Sequence, residues 1–212
     1  MAALDLQEQE QLETLKAWWK ENGNKVLGLL LVVVVAMGGW RGWQYYQKQQ
    51  SLEAATLFAE FFKQLESGDA KRVNDAAAMV MDKYAASGYA PRAALLAARV
   101  NEQGKEMARA KTQLQWVIDH AEEAGLKDVA RLRLAAVLLD EKKHDDALKL
   151  LEASHPSSFD GLYSDLRGDV LIAQGRKDEA RSAYKLAYEK TDAKSMYRNL
   201  IEMKLDALGE AK

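Results

Sequence analysis

The stretch "NKVLGLLLVVVVAMGGWRGWQYY", residues 24–46, constrains this chain more than any other. Fifteen uncharged residues, Val26 to Trp40, separate Lys25 from Arg41. A membrane span, a cleaved export signal and a buried core helix are the three readings, and a buried helix would not explain aromatic residues at both ends of the run. Fifteen falls short of the ~20 residues that cross a bilayer. Counted to the aromatic border at Tyr46, the run has 21 residues, about 31 Å of helix at ~1.5 Å per residue. Trp18 and Trp19 precede it, and Trp40, Trp43, Tyr45 and Tyr46 close it. Rings with one wet and one apolar side suit the two headgroup levels. Lys25 and Arg41 can lay their methylenes along lipid and lift their charges into the interface. Residues 22–46 are therefore predicted to form a transmembrane helix in contact with membrane lipid. A cleaved export signal is the rival reading, with Val26–Met37 as its apolar region. The long, net acidic lead of residues 1–21 argues against it, because a signal starts short and basic.

That lead carries five acids against two lysines. Leu4, Leu12, Leu15 and Trp19 recur in it at near-helical spacing, which allows either an amphipathic helix at the membrane or a plain polar tail. Lys16, Lys20 and Lys25 on one side of the span outnumber Arg41 and Lys48 on the other. This margin of one favours a cytoplasmic N-terminus. Gly38 and Gly42 have the spacing of a close helix pair, so a weak homodimer through the span stands beside the simpler view that the spacing is incidental.

Residues 47–212 are predicted to form a separate, all-α domain. Alanine, leucine, lysine and glutamate dominate, and no stretch alternates with period two. Breaks fall at Ser67-Gly68-Asp69, Ser87-Gly88, Gly104, Gly125, Gly175 and "SHPSSFDG". Pro91 is placed to open a helix. Within "LRGDVLIAQGRKDEARSAYKLAYEK", Gly168 is followed by Ala180, Tyr184 and Ala187. The same pattern appears earlier as Ala135, Ala147, Leu151 and Ser154, and before that as Ala98, Ala110, Leu114 and Val117. Small residues facing each other let two helices cross closely, and the larger apolar residue one turn on fills the groove against the next pair. This spacing resembles the tetratricopeptide repeat. Gly168, Leu171, Gly175, Ala180, Tyr184 and Ala187 match its consensus types, although Ser164 stands where the family has a bulky residue. Residues 51–86 read as a further, divergent helix pair. "AKSMYRNLIEMKLDALGEAK" reads as a C-terminal capping helix with Met196, Leu200, Met203 and Leu208 roughly on one face. The expected fold is thus a transmembrane helix followed by a divergent tetratricopeptide-repeat-like α-solenoid.

Chemistry is sparse in this chain. There is no cysteine, which excludes disulfides and thiolate metal sites. His120, His144 and His155 form no i, i+4 pair, so no metal site is expected. No phosphate loop or nucleophile elbow occurs, and the paired acids read as solvated faces, so no enzyme activity and no cofactor are expected. The near-neutral body lacks a basic stripe, so nucleic acid is not an expected partner. A repeat stack offers a concave groove for peptide or protein segments. By the architecture of the repeat family, Arg99, Arg131, Tyr163, Asp165 and Asp169 on the first helices are candidate groove residues. Ordinary surface is the alternative for each.

End to end, the order of an acidic tail, "WWKENGNK", an apolar span, "GWRGWQYYQ" and a divergent repeat domain resembles the YfgM-type family of ancillary SecYEG translocon subunits. "LRGDVLIAQGRKDEARSAY" is similar to that family's third repeat. The resemblance implies a bacterial inner-membrane protein with a cytoplasmic N-terminus and a periplasmic repeat domain. It also implies contact with the SecYEG translocon and a PpiD-like periplasmic chaperone. A membrane-anchored adaptor in envelope assembly or cell division is the alternative reading.

Overall fold

The computed structural model describes residues 6–209, with side chains from Glu10 onward. Leu4 and the rest of the first five residues lie outside the described residues, as do the last three of the capping segment. The described residues are helical, with no strand among them. They divide into two compact units, Met1–Gln50 and Ser51–Lys212.

The first helix, α1 (Leu6–Ser67), passes the expected borders at 21/22 and 46/47 without a break. Nothing in residues 47–66 interrupts it, since neither glycine nor proline occurs there. It is the one helix among the described residues long and apolar enough to cross a membrane, and none of its most apolar window is buried within the chain. Trp18, Trp19, Lys25, Trp40, Arg41, Trp43, Tyr45 and Tyr46 all lie exposed on it. Trp19 lays its indole over Gly23, where a Cβ would meet Nε1 at 3.2 Å. The glycine of "WWKENGNK" therefore makes room for a ring.

The second unit continues from the end of α1 through α2 (Ala70–Lys83), α3 (Tyr89–Gln103), α4 (Met107–His120), α5 (Ala124–Asp140), α6 (His144–Leu151), α7 (Asp160–Ala173), α8 (Lys177–Lys190) and α9 (Met196–Ala207). A short 3-10 turn, Ser157–Phe159, precedes α7. Asp69 caps α2 by accepting from the Lys71 and Arg72 amides, and the Ser195 hydroxyl caps α9 by accepting from the Tyr197 amide. Each spares a helix amide that would otherwise lack an acceptor.

The turns after α3, α5 and α7 are copies of one another. In each, a residue with positive φ follows the helix: Lys105 (61°), Lys142 (62°) and Gly175 (77°). The next amide then reaches back five residues, from Glu106 to Asn101 O, Lys143 to Leu138 O, and Arg176 to Leu171 O, at 2.8–2.9 Å. This is the Schellman closure, and its recurrence marks three equivalent helix pairs: α3/α4, α5/α6 and α7/α8. Gly125 does not break a helix as expected but sits in the first turn of α5, and His144 opens α6.

The core is four clusters in chain order. Phe61, Val73, Val80 and Ala93 join α1, α2 and α3. Ala98, Leu114, Ala130 and Leu134 join α3, α4 and α5. Ala135, Ala147, Tyr163 and Val170 join α5, α6 and α7. Leu171, Ala180, Tyr184 and Ile201 join α7, α8 and α9. Helices α3, α5 and α7 thus serve two clusters each. The small residues Ala98, Ala110, Ala135, Ala147, Gly168 and Ala180 are all buried. At Gly168 the approach leaves no room for a side chain, for a Cβ there would overlap the Tyr184 ring.

The middle pair departs from the pattern. Helix α6 has eight residues where α4 and α8 have fourteen. Ser154, aligned with Val117 and Ala187, therefore lies beyond the helix end. Pro156 biases His155 towards extended backbone, and the serines around it favour turns over helix.

Candidate groove between the second helices

A cleft opens beside the short α6. It measures about 880 Å³ and lies between α4 and α6, with α5 beneath. Its floor is apolar: Trp116 from α4, Leu134 and Leu138 from α5, and Leu150 and Ala153 from α6 and its end. Trp116 stacks on His120 with ring centroids 4.4 Å apart, and His120 Nδ1 lies 2.9 Å from the Trp116 carbonyl. Charges of both signs rim the cleft: Lys111, Asp119, Asp146 and Lys149. Lys111 also donates to Glu141 at 2.7 Å. Hydrogen bonds from Lys111 and Lys143 hold the Glu141 carboxyl below the usual carboxylate range. An apolar floor inside a mixed polar rim holds a peptide's apolar side chains while leaving its polar ones in water.

The residues expected to line a groove are scattered, and most are occupied. Arg99 is exposed on α3. Arg131 is half-buried and pairs with Asp128 at 2.8 Å. Tyr163 is buried and donates to that same Asp128 at 2.9 Å, tying α7 to α5. Burial, then the Asp128 carboxylate, pushes the Tyr163 hydroxyl up to about 12. Asp165 is buried too, and accepts from Lys204 at 2.8 Å and from the Tyr197 hydroxyl at 2.5 Å, both on α9. Asp169 accepts from Lys204 and from Tyr184, each at 2.8 Å. Tyr163 and Asp165 are therefore not open groove residues. The face of α7 that would line a groove is covered by α9, and its two acids clamp that helix in place.

Sequence reasoning missed Trp116, Leu138 and Leu150. Two signals were present: Trp116 is the one tryptophan of the repeat unit, and "SHPSS" cuts α6 short. Sequence patterns also gave no hint of the amide cluster in which Asn101, buried, exchanges hydrogen bonds with Asn74 and donates to Gln113 at 2.7–2.8 Å, joining α2, α3 and α4. His155 stacks on Tyr163 at 3.9 Å. Among the described residues, no three His, Asp or Glu side chains are grouped to hold a metal ion.

The family model of the tetratricopeptide repeat-like domain matches residues 16–210. An ancillary SecYEG translocon subunit of Neisseria gonorrhoeae is 30% identical over 97% of this chain and 99% of its own length. Proteins of the same description from Escherichia coli and Haemophilus influenzae are 29% and 26% identical, covering 95% and 97% of this chain and 96% and 100% of their own. No solved structure matches. Three matching turns, four serial cores, one long apolar helix and relatives aligned along nearly their whole length agree: the chain belongs to the tetratricopeptide repeat-like family of ancillary SecYEG translocon subunits.

Proposed function

We propose that this chain is a membrane-anchored scaffold that serves the SecYEG translocon. The observation that carries the proposal is full-length similarity to translocon subunits, span and repeat unit included. Helix α1 crosses the bacterial inner membrane once, with the N-terminus cytoplasmic and the repeat unit in the periplasm. The lysine margin and the resemblance both favour that orientation. The repeat unit acts by binding and carries no catalytic constellation. Its α4–α6 groove takes an apolar peptide segment, and Arg99 is the one earlier candidate exposed enough to join a second contact face. Anchoring raises the local concentration of such a site beside a membrane partner. The partners proposed are the SecYEG channel and a PpiD-like periplasmic chaperone.

The test is membrane fractionation followed by in-cell photo-crosslinking from the groove rim at Gln115 and Lys149. Adducts with translocon subunits and a PpiD-like chaperone are expected. Adducts confined to division or envelope-assembly proteins would replace the translocon reading with the adaptor one. A protease-shaving experiment that cuts the repeat unit from the cytoplasmic side would reverse the orientation.

A further inference from the structure

The end of a repeat stack normally turns a polar face to water, because no further pair covers it. Helix α9 does not. It packs inward through Tyr197, Ile201, Leu205 and Leu208. Of the four residues expected roughly on one face, Leu208 packs inward and the other three point outward: Met196 is 87% exposed, Leu200 41% and Met203 61%. With the exposed Ala207 they span ~60° of arc at ~100° per residue, a narrow straight stripe.

The charges beside the stripe are sorted. Both cations of α9 are engaged within the domain: Lys204 by Asp165 and Asp169 at 2.8 Å, and Arg198 over the Tyr188 ring at 3.9 Å. Glu202 and Asp206 are exposed and form no ion pair among the described residues. They stand with Asn199 along one edge of the stripe. The outer surface of α9 is thus apolar down the middle and acidic along one side.

We infer that the outer face of α9 is a docking surface for an amphipathic helix of another protein, one with an apolar stripe flanked by lysine or arginine. A basic flank meets Glu202 and Asp206, while the partner's stripe covers Met196, Leu200 and Met203. The methionines suit such a face, since an unbranched side chain adapts its shape to the partner. A second copy fits poorly, because antiparallel pairing of α9 with itself sets acid edge against acid edge. An anionic lipid surface is repelled by the same two carboxylates. The inference deepens the scaffold reading and rests on it.

The experiment uses the full chain in detergent micelles and two labelled synthetic helices. They share a leucine stripe; one has lysine flanks and the other glutamate flanks. Fluorescence anisotropy should show the lysine peptide binding at least tenfold tighter. Leu200→Asp with Met203→Asp should weaken it at least tenfold while thermal stability holds, since both side chains are exposed. Glu202→Lys with Asp206→Lys should reverse the preference between the peptides. Equal binding of both peptides overturns the inference. So does lysine-peptide binding that survives both double substitutions, or phosphatidylglycerol vesicles binding in place of the peptide. A photo-crosslinker at Met203 that joins two copies of the chain also overturns it. If the peptides fail while groove crosslinks to the translocon persist, this surface alone falls. If the peptides bind as described while translocon adducts are absent, the surface stands and the translocon assignment falls.

Discussion

Gly168→Ala adds one methyl where α7 meets the Tyr184 ring of α8. A Cβ there would lie 2.8 Å from Tyr184 Cζ and nearer still to the adjoining ring carbons, where carbon atoms ordinarily rest ~3.5–4.0 Å apart. The ring must therefore retreat by roughly 1 Å. It is not free to do so, being buried, with its hydroxyl donating to Asp169 at 2.8 Å. Overpacking of this kind costs ~1–3 kcal/mol, and a strained or lost hydroxyl bond adds ~1 kcal/mol. Alanine in a helix interior returns ~1 kcal/mol over glycine. The net is a loss of about 1–3 kcal/mol, or a Tm lower by roughly 2–12 °C for a domain of this size. The assay is a circular-dichroism melt of the full chain in micelles, with Tyr184→Leu as the second arm. In the Tyr184→Leu background the methyl has room, so Gly168→Ala should become neutral or stabilising by up to ~1 kcal/mol. An equal cost in both backgrounds, or a raised Tm in the parent chain, would refute the crossing as described.

Other perturbations have equally definite outcomes. Lys105→Gly and Lys142→Gly relieve left-handed backbone at two of the three repeat turns, so each should stabilise by up to ~1 kcal/mol; a lower Tm for both would count against the turn geometry. Tyr163→Phe leaves Asp128, already buried with an unpartnered Oδ2, one hydrogen bond poorer, and should cost ~1–3 kcal/mol by chemical denaturation. Tyr163, Tyr184 and Tyr197 are all raised above the ordinary tyrosine value of 10.0, first by burial and then by hydrogen bonds to Asp128, Asp169 and Asp165. Above that value the unfolded chain has lost protons the folded one keeps, so their stabilisation is complete below pH ~10 and drains as pH rises. Tyrosinate absorbance should show these three as late-titrating groups, joined by Tyr84, which its hydrogen bond to the Glu53 carboxylate also raises; all should titrate normally in denaturant, and early titration of the three would contradict the buried contacts. Trp116→Ala removes the aromatic floor of the groove and should abolish groove crosslinks while leaving binding of the lysine-flanked helix to α9, whereas unchanged yields would place the binding face elsewhere.

The sequence was most legible where one residue type has one steric meaning. Small residues at Ala98, Ala135 and Gly168 read as close crossings because nothing larger fits, and each is buried. The apolar run read as a span because its length and borders match a bilayer. Legibility failed where the outcome depends on what a neighbour does. Asp165 and Asp169 look like surface acids by type, and only the arrival of Lys204 and Tyr197 from α9 turns them inward. Met196, Leu200 and Met203 share a face in sequence, but Tyr197 and Ile201 on the adjacent face won the core. The groove was hidden for a related reason. It lies beside an α6 that stops early, and an absent helical turn leaves only a faint trace in the pattern.

The serial arrangement of the cores bears on how this domain comes into being. No side-chain hydrogen bond among the described residues joins positions more than 39 apart, so a core can close as soon as the next helix or two has appeared. Such low contact order favours fast folding from any starting point along the chain. A domain of this kind delivered N-terminus first, whether from a ribosome or through a narrow pore, settles behind its own growing end. Only the α9 clamp must wait for the last residues. Until Lys204 arrives, Asp165 and Asp169 lack their cation, and the finished stack differs from the unfinished one at that single joint.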